Sequence, residues 1–370
     1  MKDIDFFSFE SAPSELKEEW QEALSGVIQS GRFIGGPTVE EFEDNWSSYV
    51  GVNHTIGVGN GYDALVLALR GLNIGSGDFV AVPSHTFIAT WFAVVAVGAT
   101  PIGIDCDLHG LMDLAILESL SQRIDAVIPV HMHGQMVDME RLMSWATLGN
   151  VSVSEDCAQA QGANIGGRKA GSWGHVNAFS FYPTKNLGAL GDAGAVVTNS
   201  SAIAQKIRSL GNYGSYPGEK YRYMNQGINS RLDPMQAAIL NVNLRYLDSW
   251  NDRRRVVANR YIEQFTLNNI PILNSNLPSV WHHFIVLPHQ RDTTQKYLFQ
   301  AGIQTVIHYP TCAEDIYSEL LGFPKTIELK ARNLANHTLS LPLSPWIKNE
   351  EIDYIIENVL SEKIMHSFLS

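Results

Sequence analysis

From residue 54 onward the chain alternates short apolar runs with segments of helical periodicity, and this alternation constrains its fold more than any other feature. Strands are predicted at Thr55–Val58, Phe79–Pro83, Pro101–Ile104, Ala126–Val130, Val151–Glu155, Ala178–Phe181 and Ala193–Thr198. Helices are predicted at Asp63–Gly71, Thr90–Gly98 and Met139–Trp145. Strands that alternate with helices favour an α/β fold with a mostly parallel sheet covered on both faces.

The pattern changes beyond Asp233, where one long helix is predicted over Gln236–Tyr261. Its basic run Arg253–Arg255 is interpreted as a solvated helix face, with a phosphate patch as the alternative. Later elements are predicted as a strand at Phe284–Leu287, a helix at Thr293–Ala301, a strand at Gln304–His308 and a helix at Glu350–Leu360. We therefore expect a large domain over residues 1–249 and a smaller α+β domain over residues 250–370.

Composition narrows the classes of function. The chain has 370 residues, 26 basic against 38 acidic, and a net charge of −12, so a nucleic-acid partner is not expected. Its three cysteines are too few for a disulfide scaffold or a four-cysteine metal site. The first residues show no signal-peptide pattern, and no apolar run reaches the roughly 20 residues of a membrane span. A cytoplasmic protein without a membrane partner is expected.

The most informative segment is AFSFYPTKNLGALGDAGAVVTN, residues 178–199. Lys185 lies just after an apolar strand, in a loop rich in Gly, Pro and Thr. Burial at such a position lowers the pKa of an amine and makes it nucleophilic. The segment therefore indicates a lysine that forms a Schiff base, and an exposed loop lysine is the alternative.

Two further segments carry candidate ligand-binding groups. Asp156 ends a predicted strand in VSVSEDCAQAQG, and a carboxylate at that sheet edge is able to hold a pyridinium N–H. In VGNGYDALVLAL, residues 58–69, a strand runs through Gly-Asn-Gly into a helix, which is a potential phosphate site. A capping aspartate and a plain strand–helix turn are the respective alternatives.

A reactive lysine, a strand-end aspartate and a phosphate-binding helix start are the three anchors that pyridoxal phosphate requires. The blocks S-F-Y-P-T-K-N-L-G-A-L-G-D-A-G-A (180–195) and E-D-C-A-Q-A (155–160) resemble those of the DegT/DnrJ/EryC1/StrS sugar aminotransferases. The resemblance covers essentially the whole chain. It implies a fold type I pyridoxal phosphate enzyme, with a large domain and a smaller C-terminal α+β domain.

The resemblance also implies roles for individual residues. Lys185 matches the catalytic lysine that binds the cofactor covalently, and Asp156 matches the aspartate on the pyridine nitrogen. Gln159 lies beside the cofactor hydroxyl, and Phe87 stacks on the ring. The phosphate is held by Ser180, Tyr62 and Asp63, and by Asn229 of the neighbouring subunit. A homodimer with shared active sites is therefore expected.

The similarity extends to the branch that acts on dTDP-linked 3-keto-6-deoxyhexoses. It implies conversion to the 3-amino sugar with L-glutamate as donor, in deoxy amino sugar biosynthesis for O-antigen or surface polysaccharide. Substrate contacts are predicted for Tyr182, Lys220, His308, Tyr309 and His85.

Other functions remain as alternatives at this stage. They are a C4 aminotransferase acting on a UDP- or dTDP-4-keto sugar, a pyridoxal phosphate-dependent sugar dehydratase, and a catalytically silent regulatory protein. His131 and His133 share a face if they lie on a strand and would then suggest a metal pair. No metal is predicted, because no third ligand is apparent.

Overall fold

A computed structural model of the chain describes residues 3–216, 218–219, 221–273, 278–322 and 329–368. The helices are α1 Ser14–Ser30, α2 Pro37–Val50, α3 Gly61–Gly71, α4 Ala89–Ala96, α5 Leu114–Ser119, α6 Met139–Gly149, α7 Ser201–Gly211, α8 Pro234–Leu244, α9 Leu247–Leu267, α10 Arg291–Gln300, α11 Ala313–Leu321, α12 Lys330–His337, α13 Asn349–Val359 and α14 Glu362–Met365. The strands are β1 His54–Val58, β2 Phe79–Pro83, β3 Thr100–Ile104, β4 Ala126–Val127, β5 Ser152–Val153, β6 Asn164–Ile165, β7 Arg168–Lys169, β8 Val176–Ser180, β9 Gly194–Thr198, β10 Ile272–Leu273, β11 Phe284–Val286 and β12 Leu339–Leu341.

The central sheet is parallel except for one strand. In the order β3-β2-β4-β5 all neighbours are parallel, and in the order β1-β9-β8 the middle strand β9 runs antiparallel to both neighbours. Asp156 joins the two sets, because it forms parallel bridges with Val130 beyond β4 and with Ala178 in β8. Helices cover both faces, and the predicted α/β fold with a mostly parallel sheet is confirmed.

Both faces of this sheet are buried, which explains the continuous apolar runs in the sequence. Val80 and Val82 of β2 pack into a core shared with α3, α4 and α7. Ala81, between them, faces the opposite core, which includes Phe42 of α2 and Leu142 of α6. Successive side chains of a strand point to opposite faces, so every position of such a strand has to be apolar.

The C-terminal part has its own apolar core around the antiparallel sheet β10-β11-β12. Residues of α9 from Val257 onward and of α13 pack into it, together with Ile4 from the start of the chain. The predicted domain boundary at residue 250 falls inside α9, and it stays a prediction.

The single long helix predicted over Gln236–Tyr261 is wrong, because the chain forms α8 and α9 there. Arg245 and Tyr246 separate them. Their N–H groups bond the carbonyls of Val242 and Asn243, which tightens the end of α8 into a 3₁₀-type turn. Among the described helices, none has the combined length and apolarity needed to cross a bilayer.

The strand predicted at Gln304–His308 is also absent from the structure. Only Val306 pairs with a strand residue, in an isolated antiparallel bridge to Ser340 of β12. Two residues further on, His308 bonds the Ser340 hydroxyl through Nδ1 at 2.8 Å. This segment delivers side chains to the candidate site and does not extend the sheet.

The basic run in α9 is not the uniformly solvated face that its sequence suggested. Arg253 and Arg255 bond groups near the surface, but Arg254 is only 2% exposed. A run of three charges covers most of a helical turn, so one member of the run faces the interior.

Candidate active site

A cavity of about 380 Å³ opens where the chain leaves β4, β5 and β8. Ligands of open α/β sheets bind at this edge, and the volume lies within the range of ligand pockets. The predicted site residues that line it are Tyr62, Phe87, Asp156, Gln159, Ser180, Tyr182, Lys185, His308 and Tyr309. Side chains that were not predicted also line it, among them Asn60, Thr90, Thr184, Asp192, His282 and His283.

Lys185 follows β8 in a tight loop, as predicted. Its backbone N–H bonds the carbonyl of Tyr182 at 2.8 Å. Gly188 closes the loop so tightly that a β-carbon there would lie 2.3 Å from the carbonyl oxygen of Pro183. Burial lowers the pKa of Lys185 to about 8, although the charge of Asp156 acts in the opposite direction. At neutral pH about one amine in ten is then unprotonated, far more than for an ordinary lysine.

Asp156 stands on the edge of the sheet with both carboxylate oxygens fixed. Thr90 of α4 donates its hydroxyl to Oδ2 at 2.9 Å, and the backbone N–H of Ala158 donates to Oδ1 at 3.1 Å. Burial raises the pKa of Asp156, whereas these two hydrogen bonds and the charge of Lys185 lower it. The carboxylate keeps lone pairs free toward the cavity, where a cationic N–H would stabilise its ionised form.

Glu155, one residue earlier, points away from the cavity into a closed polar cage. Its carboxylate accepts backbone N–H bonds from Gly171, Trp173 and Gly174 at 2.7 to 2.9 Å. It also pairs with His131 Nε2 at 2.9 Å. Successive side chains on an extended segment face opposite sides, which is why adjacent carboxylates have such different surroundings.

Gln159 is held from both ends of its amide. The side-chain oxygen accepts the backbone N–H of His133 at 2.7 Å, and Nε2 donates to the hydroxyl of Tyr309 at 3.0 Å. These two bonds fix which way the amide points. Gln159 therefore presents a fixed polar edge beside Asp156, and it links the turn at His133 to the His308–Tyr309 segment.

The N-terminus of α3 forms one end of the cavity. Asn60 caps the helix by accepting the N–H of Asp63 at 2.8 Å, whereas the first N–H groups of Gly61 and Tyr62 have no acceptor within the helix. A β-carbon on Gly61 would lie 2.6 Å from that of Ser180, so only glycine lets the helix approach β8 this closely. Free N–H groups, a helix dipole and the Ser180 hydroxyl together suit a phosphate.

Phe87 supplies an aromatic surface at the cavity. Its ring is 54% exposed, and its centroid lies 5.5 Å from that of Tyr309. A planar heteroaromatic ligand is able to stack on such a surface.

Histidines that were not singled out from the sequence close the far side. His283 stacks on His308 with ring centroids 3.7 Å apart, and its Nδ1 lies 3.2 Å from that of His133. Burial, with the added charge of Lys185, lowers the pKa of His308 to about 3 and that of His282 well below its usual value. The two histidines in W-H-H-F, directly before β11, were a possible sequence signal of a functional site. Polar residues next to a buried strand are buried only where they have hydrogen-bond partners or a functional role.

Some predicted residues lie outside the cavity. Asp63 is held near the Asn60 cap, and His85 is fully buried with its ring 6.4 Å from that of Tyr309. Asn229 is exposed, and its side-chain oxygen accepts from Arg231 at 2.7 Å. Lys220 lies outside the described residues.

His131 and His133 do not form the shared-face pair that a strand would give. His131 directly precedes a 3₁₀ turn at Met132–Gly134, and His133 lies within it. His131 accepts the N–H of Val137 at Nδ1, 3.2 Å, and its Nε2 pairs with Glu155. His133 instead reaches His283, so the two rings serve different hydrogen-bond networks.

Curated relatives match nearly the full chain. The chain is 42% identical to the erythromycin biosynthesis sensory transduction protein EryC1 of Saccharopolyspora erythraea, over 96% of this chain and 98% of that protein. It is 41% identical to the dTDP-3-amino-3,4,6-trideoxy-alpha-D-glucose transaminase of Streptomyces venezuelae, over 96% and 95%. It is also 41% identical to the dTDP-3-amino-3,6-dideoxy-alpha-D-galactopyranose transaminase of Aneurinibacillus thermoaerophilus, over 96% and 98%.

Solved structures of similar proteins also match nearly the full chain. DesV of S. venezuelae, in complex with a ketimine intermediate, superposes with a TM-score of 0.92 at 40% identity and covers 97% of this chain and 98% of that one. NtdA of Bacillus subtilis, with bound cofactor PMP, gives 0.90 at 27% identity over 99% and 86%. A family model described as the DegT/DnrJ/EryC1/StrS aminotransferase family matches residues 14–360. The chain belongs to this pyridoxal phosphate-dependent aminotransferase family.

Proposed function

We propose that the protein transfers an amino group from L-glutamate to a dTDP-linked 3-keto-6-deoxyhexose and so forms the 3-amino sugar. One observation carries the chemistry: Lys185 with a pKa near 8 and Asp156 line the same cavity, whose end is the helix start at Gly61. The names of the relatives that are about 41% identical support the substrate class.

The cavity fits pyridoxal phosphate. The Gly61–Ser180 contact leaves backbone and hydroxyl donors for the phosphate, and Phe87 offers its face to the ring. Asp156 stands where it is able to accept the pyridine N–H, and Gln159 is fixed beside it for the ring hydroxyl. When bound, this cofactor supplies an electron-accepting ring for amino-group transfer.

The chain's own residues then have distinct tasks. Asp156 holds the proton on the ring nitrogen through charge, and Thr90 holds Asp156 in place. The Nζ of Lys185 would attach the cofactor. Once the donor amine has displaced it, the freed Nζ would take the proton from the α-carbon of the donor and deliver it to the cofactor carbon that carries the transferred nitrogen. The low pKa of Lys185 favours both tasks near neutral pH, because each needs an unprotonated amine.

We place the sugar nucleotide at the mouth of the cavity. Tyr182 is 53% exposed there, directly before the Pro-Thr-Lys turn. His308 and Tyr309 approach from the C-terminal part and contribute a ring nitrogen and a hydroxyl. His85 lies behind Tyr309 and supports its ring.

Lys185→Ala tests the assignment. The variant is expected to lose at least about 1,000-fold in turnover and to lose covalent cofactor, with an unchanged far-UV spectrum. Lys296→Ala, on the exposed face of α10, is the control and should keep full activity. Turnover of Lys185→Ala within tenfold of wild type would sink the proposal.

The position of amination is tested with paired substrates. The protein should aminate dTDP-linked 3-keto-6-deoxyhexoses and leave the 4-keto isomers unchanged, as judged by NMR of the products. An amine at C4 would establish the alternative aminotransferase. A deoxygenated product without nitrogen would establish a dehydratase. Inactivity on both substrates, with cofactor bound, would favour a regulatory role, which the name of the sensory transduction relative suggests.

We further propose that two copies share their active sites. Asn229 is exposed and does not line the cavity of its own chain, although the family resemblance assigns it to a cofactor phosphate. The neighbouring surface exposes large side chains that a second copy would cover. These are Tyr213, Tyr221, Tyr223 and Met224, each at least 50% exposed.

Subunit mixing tests this arrangement. Lys185→Ala and Asn229→Ala homodimers should each be strongly impaired. A heterodimer has one site with both changes and one with neither, so activity should return toward half of wild type. Exchange proven by native mass spectrometry without recovered activity would show that Asn229 acts within its own subunit.

A further inference from the structure

A second chamber, of about 190 Å³, adjoins the cavity of Lys185. The two cavities share the side chains of Thr184, His282, His283 and His308. The second chamber is completed by Phe6, Phe7, Arg254, Val306 and Leu343. None of the cofactor contacts proposed above needs this space, so its one charged side chain calls for an explanation.

That side chain is Arg254, which is 2% exposed. Both hydrogen bonds that its guanidinium makes to described residues leave from Nη1, to the carbonyl of Leu343 at 2.7 Å and that of Trp281 at 3.4 Å. Nε is buried and meets no acceptor in the described part of the chain. Nη2 likewise donates no hydrogen bond to a described residue, and the planar fork of Nε and Nη2 matches the two oxygens of a carboxylate.

No described carboxylate neutralises the charge of Arg254. Burial alone lowers its pKa to about 9, with no carboxylate among the described residues acting against that change. A buried cation without a partner is strongly unfavourable, whereas one that meets an anion is stabilised. The chamber thus has the chemistry of an anion site.

Arg254 lines the chamber that adjoins the cavity of Lys185. It bonds the carbonyl of Trp281, the residue before His282. The charges of both Lys185 and Arg254 act on His282, which lies in the wall between the two cavities. The α-carboxylate of an amino acid is bonded to the carbon that reacts and has to stay in the chamber of Lys185. A group that enters the second chamber is therefore the far end of the donor.

We propose that Arg254 binds the distal carboxylate of the amino donor and so selects a dicarboxylic amino acid over its neutral amide. This inference rests on the aminotransferase function proposed above and adds a residue that determines its donor specificity. The histidines beside the chamber are held neutral by burial, so they add polar contacts without competing for the anion.

The test compares donors in the first half of the reaction, followed by the absorbance of the cofactor in single turnovers. Wild type should prefer L-glutamate to L-glutamine. In Arg254→Lys and Arg254→Gln we expect the apparent affinity for L-glutamate to fall at least about 30-fold, with little change for L-glutamine. Arg255→Gln, at the exposed next position of α9, should behave as wild type. The second half, with keto-sugar as acceptor, should be unchanged in all of them.

A binding measurement removes the dependence on turnover. Glutarate, a dicarboxylate that cannot react, should bind the wild-type holoenzyme by titration calorimetry, and its monoamide should bind at least about 30-fold more weakly. If the Arg254 variants do not fold, this wild-type comparison still decides the matter. Equal binding of glutarate and its monoamide would overturn the inference.

Two kinetic outcomes also overturn it. One is an equal loss for L-glutamate and L-glutamine, which would place the α-carboxylate on Arg254. The other is no loss for either donor, which would make Arg254 structural. A wild-type enzyme that accepts no amino donor at all would instead refute the proposed function itself.

Discussion

Two adjacent carboxylates, Glu155 and Asp156, end the same strand segment but have different surroundings. The comparison shows how one carboxylate serves the fold while its neighbour remains available for ligand binding. Glu155 is fully buried, and its oxygens are engaged by backbone N–H groups and His131. Asp156 has two protein partners, Thr90 and Ala158, and faces the cavity. A carboxylate whose lone pairs all accept hydrogen bonds from the protein stabilises the fold. A carboxylate that faces a cavity with unused lone pairs is available to bind a ligand.

Among the tests of this contrast between the two carboxylates, the largest expected effect is that of Asp156→Asn on activity. An amide cannot stabilise a protonated ring nitrogen as a carboxylate does, and each pKa unit lost there corresponds to about 1.4 kcal/mol. We expect turnover to fall at least about 100-fold, with a thermal midpoint close to that of wild type. A near-normal rate in steady-state assays would make Asp156 structural, like its neighbour.

Glu155→Gln should show the reverse. The NH₂ group of the new amide has to face the backbone N–H of Gly171 or Trp173. Both groups are hydrogen-bond donors, so a hydrogen bond is lost and a buried donor is left without an acceptor. We expect about 3 kcal/mol less free energy of unfolding, measured in urea, and normal turnover per folded molecule. Glu118→Gln, which loses only a surface pair with Arg141, should cost well under about 1 kcal/mol. Equal losses of stability in Glu155→Gln and Glu118→Gln would show that the buried hydrogen bonds of Glu155 contribute no more than a surface ion pair.

A smaller effect concerns pH. Because burial lowers the pKa of Lys185 to about 8, its unprotonated fraction rises as pH increases through that value. The rate at which cofactor-free protein captures pyridoxal phosphate should increase about tenfold from pH 7 to pH 9 and then level off. Stopped-flow absorbance measures this. A rate still rising steeply above pH 10 would mean that Lys185 has an ordinary pKa.

Thr90→Val should have the smallest effect. It removes one hydrogen bond from Asp156 and leaves the one from Ala158 in place. We expect about a fivefold lower turnover, equivalent to about 1 kcal/mol, whereas Thr90→Ser should retain most activity. An unchanged rate in Thr90→Val would show that Ala158 alone positions the carboxylate.

The sequence predicted those features that depend on local pattern. The buried strands of the sheet were recognisable because both of their faces are apolar, as in β2 and β9. Lys185 was recognisable because it follows such a strand, and Asp156 because it ends the alternating segment V-S-V-S-E-D. The two-residue strands β4 and β5 were predicted too long, since Pro129 has no N–H to extend the ladder.

The features that were missed depend on contacts between distant segments. His283 meets His133 across 150 positions of the chain, and no local pattern indicates such a pair. The burial of Arg254 was not predicted, because a run of three charged residues suggests an exposed helix face. Arg254 is buried by contacts with the loops before β11 and after β12, which are distant in the sequence. Thr90 lies in an apolar helix, where its hydroxyl gives no signal of the carboxylate it holds.

We propose that Lys185 carries pyridoxal phosphate in this cavity. Reduction of the cofactor-loaded protein with borohydride, followed by proteolysis and mass spectrometry of the peptides, tests it most directly. We expect a single phosphopyridoxyl group, on the peptide that contains Lys185, with the label lost in Lys185→Ala and retained in Lys296→Ala. A label on another lysine, or none on Lys185 in protein that has bound the cofactor, would contradict it.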